Sequence, residues 1–230
     1  MTTDDRHLRA EFDHALQRLE DDLLRIGVFA GTLLTRAVEA LKRYDAEAAT
    51  TVIADDDQAD QMHMDIERRV MELLATQQPM AKDLRTLAAI LAVSIDLERM
   101  ADHAEGIGDA IVRLTRHKAL TPPANLTYME QIVRGMLHDV LEAFVRRDVV
   151  LAEAVAVKDE TVDALRGQVF RELLTYMAEN PRTISPALDL MLVAQHLERA
   201  ADHVTNVAER VIYMVTGEMR ELNVQTAEAR

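Results

Sequence analysis

The sequence predicts an all-α fold built as two pseudo-symmetric, antiparallel three-helix bundles. Three observations carry that expectation. Residues 95–111, IDLERMADHAEGIGDAI, return at 195–211 as QHLERAADHVTNVAERV, so that Leu97-Glu98-Arg99 and Ala101-Asp102-His103 reappear as Leu197-Glu198-Arg199 and Ala201-Asp202-His203. Apolar residues recur at helical spacing through most of the chain. Aromatics at 3%, seven glycines, five prolines and no tryptophan leave little material for strands and match the composition of long packed helices.

The first helix is expected from Asp5 to Arg43, where Leu16, Leu19, Leu23, Ile26, Leu33, Leu34, Val38 and Leu41 form an apolar face. Gly27 and Gly31 lower its intrinsic propensity, and their four-residue spacing marks a close approach of another helix. A second helix runs from Asp45 to Gln77, and Pro79 separates it from a third over Ala81 to Arg116. His117 to Asn125, with Pro122-Pro123, is the linker and divides the chain into repeats 1–118 and 119–230, each expected to fold as a similar unit. The plan then repeats: Leu126 to Arg147, Asp148 to Glu179, the breaker Asn180-Pro181, and Pro186 to Val215. Ser185 reads as the N-cap of the last helix and Gly217 as its stop.

Forty acidic against 26 basic side chains give a formal charge of −14, which repels a polyanion, so nucleic acid is not expected as a partner. The absence of cysteine excludes disulfides, thiolate zinc sites and iron–sulfur clusters. No secretory signal pattern opens the chain, and its longest uncharged stretch, around Thr86–Ile95, is half a bilayer span; a cytoplasmic location without membrane insertion is expected.

Carboxylates supply the chemistry. Glu98, Asp102, Glu105 and Asp109 lie at i, i+4, i+7 and i+11 on one helix face, and Glu198, Asp202 and Glu209 take the equivalent places in the second repeat. Asp56 and Asp60 on the second helix correspond to Asp159 and Asp163 on the fifth. Each repeat thus sets two four-spaced acidic pairs on consecutive helices, where like charges repel unless a cation joins them. A single pair of this kind is usually a solvated face; its fourfold recurrence points to an oxygen-ligated metal ion.

The remaining signals are structural or negative. His103 and His203 sit about 100° around the helix from the neighbouring Asp, which suits a supporting role. Arg99 and Arg199 are expected to pair with a neighbouring helix or a partner, and Met64, Met71, Met177 and Met191 to fill the core. Only Glu11-x-x-His14 has the E-x-x-H spacing of a di-iron oxidase, and no catalytic triad, phosphate loop or H-E-x-x-H motif occurs. The rival to a binding protein is a carboxylate-bridged metalloenzyme or metal-storage protein.

The paired L-E-R-x-x-D-H segments, with FDHALQRLEDDLLRIG, ADDDQAD and QQPMAKDLR before the first and FRELLTYMAENPRTISPALDL before the second, resemble the PhoU family over nearly the whole chain. That resemblance implies a duplicated three-helix fold, often dimeric, with E/D-x-x-x-D motifs that in some members hold multinuclear metal clusters. Carried over by position, the ligand set is Asp56, Asp60, Glu98 and Asp102 with Asp159, Asp163, Glu198 and Asp202. Iron, zinc, manganese, magnesium and calcium all suit such oxygen donors. Asn206 and Glu209 fit the family stretch D-H-x-x-N-x-A-E, from which Glu105-Gly106 and Gly108-Asp109 depart, so equal metal loading of the two bundles is not expected. The resemblance further implies a non-catalytic homodimeric adaptor between the ATPase subunit of a phosphate ABC transporter and a phosphate-sensing histidine kinase, silencing the phosphate-starvation response.

Overall fold

The structure, a computed structural model, describes residues 3–77, 79–117 and 120–222. Six helices follow one another: α1 (Thr3–Arg43), α2 (Ala46–Thr76), α3 (Ala81–Leu114), α4 (Ala124–Arg146), α5 (Val149–Glu179) and α6 (Ile184–Thr216). A short 3₁₀ turn, Pro181–Thr183, precedes α6. Within each repeat all three helices pack on one another.

The duplication extends to the turns. Tyr44 and Arg147, 103 positions apart, both adopt left-handed backbone (φ 53° and 56°) and end α1 and α4. The next residue in each case, Asp45 or Asp148, caps the following helix by accepting from the backbone N–H three residues on, at 3.0 Å. Left-handed backbone is uncommon for non-glycine residues, and tertiary contacts hold both of these. The Tyr44 hydroxyl donates to the Leu120 carbonyl, and the Arg147 guanidinium bonds Glu20 of α1 and contacts Met214 of α6.

Between the repeats, α3 packs along α6 more extensively than any other helix pair. The two run antiparallel: Asp96 faces His203 and Asn206, His103 faces His196, and Arg113 pairs with Asp189 at 2.8 Å. Small residues permit this approach, since Ala101, Ala104, Ala200, Ala201 and Ala208 are all buried. Buried apolar side chains from both repeats form one continuous core. Gly27 and Gly31 bring α1 close to α4, their α-carbons facing Leu141 and Leu137 where an added Cβ would come within 2.8 Å.

Several local expectations need correction. α4 begins at Ala124, behind Pro123, so the linker is shorter than the prolines suggested. Ser185 is not a cap: α6 starts at Ile184 after Thr183, and Pro186 falls in its first turn, where a missing N–H costs nothing. Met64 and Met71 are 51% and 56% exposed, while Met100, Met129 and Met136 take the core positions. Gly217 does end α6 in left-handed backbone, with φ 81°. No helix among the described residues is long and apolar enough to cross a membrane.

Candidate metal centre

The second and third helices of each repeat lie side by side, so the acidic pair on one meets the acidic pair on the other. In the first repeat this brings ligand oxygens of Asp56, Asp60 and Asp102 within 4.8 Å of one another. Asp56 is 9% exposed, and its Oδ1 is buried without a hydrogen-bond partner. A buried carboxylate oxygen with no donor is costly, and a bound cation or a proton relieves that cost. Burial, followed by the nearby charges of Asp102, Glu105, Asp60 and Glu98, pushes the Asp56 carboxyl up to about 7. Burial and Asp102 raise Glu98, and burial and Asp109 raise Glu105. The cluster is therefore not the solvated face of an isolated helix; it sits between α2 and α3.

Glu105 enters this cluster although it stands outside the expected ligand set; its place at i+7 on the Glu98 stripe was the signal. Asp109, one turn further, is exposed. Arg99 is 56% exposed and pairs within its own helix, with Asp102 at 2.7 Å and Glu98 at 3.5 Å, not with a neighbouring helix as expected. Arg199 repeats that pattern with Asp202 and Glu198 at 3.6 and 3.7 Å.

The second repeat gathers its carboxylates differently. Asp159 is buried and Asp163 is exposed, and among the described residues these two do not assemble with Glu198 and Asp202 into a cluster as tight as the first. Burial raises both Glu198 and Asp202, with Asp202 acting on Glu198 and Asp163 on both. Arg166, which sequence reading passed over, works against that rise: its Nε lies 3.6 Å from Glu198 Oε1. Aligning the repeats across α2 and α5 would have found it, because Arg166 falls where the first repeat has His63. The donor sets therefore fit a metal ion in the first bundle, and the fit is poor in the second.

The histidines stand apart from the carboxylates, at the α3–α6 seam. His103 Nδ1 is 3.3 Å from His196 Nδ1, and the pseudo-symmetric contact is His203 Nδ1 to Asp96 Oδ1 at 3.0 Å. Burial, with His203 and His196 nearby, lowers His103 to about 4, so it is neutral at physiological pH. Gly106 leaves room for the His196 ring, which an added Cβ would meet at 2.3 Å; at the equivalent position Asn206 instead donates to Asp96 at 3.1 Å. The departure of the first repeat from the D-H-x-x-N stretch thus has a packing cause. Glu11 and His14 are both on the surface. Another close group, His138, Asp139 and Glu142 on α4, has cations of its own, since Lys158 bonds Asp139 and Arg146 pairs with Glu142 at 2.7 Å.

Six helices in two repeats that meet at their third helices, with an acidic helix pair in each, define a class of duplicated all-helical proteins. The family model described as PhoU domain matches twice, over residues 23–111 and 126–211. The chain is similar to the phosphate-specific transport system accessory protein PhoU homolog of Aquifex aeolicus, with 40% identity covering 89% of this chain and 92% of that one. Its counterpart in Caulobacter vibrioides is 38% identical, covering 92% and 93%. The crystal structure of PhoU from Pseudomonas aeruginosa superposes with a TM-score of 0.85 at 36% identity, covering 90% of this chain and all of that one. The phosphate transport system regulatory protein PhoU from Streptococcus pneumoniae gives a TM-score of 0.84 at 32% identity, covering 91% and 99%. This chain belongs to the PhoU family.

Proposed function

We propose that this protein is a non-catalytic adaptor in the cytoplasm, placed between the ATPase subunit of a phosphate ABC transporter and a phosphate-sensing histidine kinase, and that it keeps the phosphate-starvation response off while phosphate is plentiful. The observation that carries this reading is family membership over both repeats, with relatives described as phosphate transport accessory proteins. A formal charge of −14 suits basic protein surfaces and disfavours nucleic acid. Homodimerisation is part of the proposal.

Asp56, Asp60 and Asp102, with Glu98 and Glu105 beside them, would hold a divalent or iron-type ion. Bound there, the ion would neutralise the repelling carboxylates and fasten α2 to α3. The metalloenzyme or metal-storage alternative has less behind it, because no E-x-x-H pair reaches the cluster: Glu11 and His14 lie on the surface of α1.

Immobilised protein is expected to retain the purified ATPase subunit and the cytoplasmic part of the kinase, and to release them as salt rises from about 0.05 M to about 0.5 M, where exposed charge pairs are screened. Retention of neither partner at low salt would sink the adaptor reading.

A further inference from the structure

We propose that Arg166 is a built-in cation for the carboxylates of the second bundle, so that this bundle is completed without a metal ion while the first bundle takes one. The argument begins with the repeat register. Asp56, Asp60 and His63 on α2 correspond to Asp159, Asp163 and Arg166 on α5, each 103 positions later. His63 engages Ser94 of α3 at 3.0 Å. Arg166, by contrast, places Nε 3.6 Å from Glu198 Oε1 and donates from Nη1 to Gln195 Oε1 at 3.2 Å. Gln195 in turn donates to Glu198 Oε2 at 2.7 Å, so both oxygens of Glu198 face donors from the protein itself.

Charge and hydrogen-bonding demand differ between the bundles in the same sense. In the first, Asp56, Asp60, Glu98, Asp102 and Glu105 influence one another, and among the described residues Arg99 is the cation paired with them. In the second, the Glu105 position is the fully buried Thr205, and Glu198 and Asp202 face both Arg166 and Arg199. At the first cluster a buried acceptor, Asp56 Oδ1, has no donor; at the second a buried guanidinium nitrogen, Arg166 Nε, stands 3.6 Å from Glu198 Oε1. The unmet acceptor leaves the first cluster open to a cation, and at the second a cation already stands beside Glu198. A guanidinium is charged at every accessible pH, so its compensation is permanent and repels a second cation at contact distance.

The inference rests on the first cluster being a cation site, and the experiment separates the two claims. Mn²⁺ binding to the full-length chain is followed by loss of the free-ion paramagnetic resonance signal at neutral pH. Wild type is expected to bind saturably, and the Asp56→Asn, Asp60→Asn variant to lose that binding. Adding Arg166→Met to this variant is expected to create saturable binding of about one ion per chain, because it removes the fixed cation that faces Glu198 and Asp202. Adding Arg166→Lys, which keeps the charge, is expected to create none. Saturable Mn²⁺ in the Asp56→Asn, Asp60→Asn variant that disappears with Glu198→Gln would overturn the proposal, as would a folded Arg166→Met variant that gains no site. Should Arg166→Met lose its helical circular dichroism, the Asp56→Asn, Asp60→Asn variant still decides. Wild type that binds no Mn²⁺ would refute the first cluster as a cation site, while the gain on Arg166→Met would still judge Arg166.

Discussion

Asp56→Asn is expected to make the metal-free protein more stable than wild type at pH 8 and to leave the two nearly equal at pH 4. The carboxyl at position 56 is raised to about 7 by burial and by its acidic neighbours. In the unfolded chain it ionises near 4. The folded state therefore holds more protons between about pH 4 and pH 7, and wild-type stability falls as pH rises through that window. Raised carboxyls at Glu98, Glu105, Glu198 and Asp202 act in the same direction. Asparagine has nearly the same shape and nothing to ionise, so it removes a penalty on the order of 2–4 kcal/mol at pH 8. Thermal unfolding in chelator across pH 4–8 measures this directly. With Mn²⁺ added the order reverses, because only wild type gains stability from a ligand bound to the native state. Parallel pH curves for the two proteins would contradict the charge arrangement described for the cluster.

Phe144→Ala is expected to cost about 3–5 kcal/mol, the range for emptying a buried aromatic position. The side chain is 1% exposed, and the Arg147 guanidinium lies 4.9 Å from the ring centroid. That same guanidinium bonds Glu20 in the first repeat and contacts Met214 in the last helix. The loss is therefore shared by both repeats, and a single unfolding transition should move down as a unit, by on the order of 10 °C for a chain of this size. Two separated transitions, with only one displaced, would show that the repeats unfold independently despite their common core.

The fold was legible because its information is local or periodic. Apolar spacing marks each helix, Asn180-Pro181 and Gly217 mark ends, and the doubled L-E-R-x-x-D-H segment shows the duplication. What pairs across the duplication was not legible. Nothing near Asp96 announces that it meets His203 and Asn206, because those contacts depend on α3 and α6 lying antiparallel. Ser185-Pro186 looks like a helix start, yet Asn180 and the 3₁₀ turn at Pro181–Thr183 begin the helical path earlier. Met64 and Met71 sit at helical spacing but on the outer face of α2, where periodicity alone does not give the phase.

The candidate site was legible as residue types and spacing, and the eight expected carboxylates lie on the two helix pairs proposed for them. The sequence shows one carboxylate fewer on the sixth helix than on the third and leads to unequal loading as the expectation, but it does not reveal the cation opposite the second set. The difference lies in Arg166 against His63 and in Thr205 against Glu105, four side chains whose meaning appears only when the helices are laid side by side. A spacing rule reports which face a carboxylate shares; it does not report which cation stands opposite.

The central claim, that this chain restrains phosphate-starvation signalling by binding and not by turnover, is tested most directly by a reporter for phosphate-starvation gene expression in cells grown with abundant phosphate. Deleting the chain should switch the reporter on, and restoring the wild-type chain should switch it off again. A reporter that stays silent in the deletion strain at high phosphate would contradict the account.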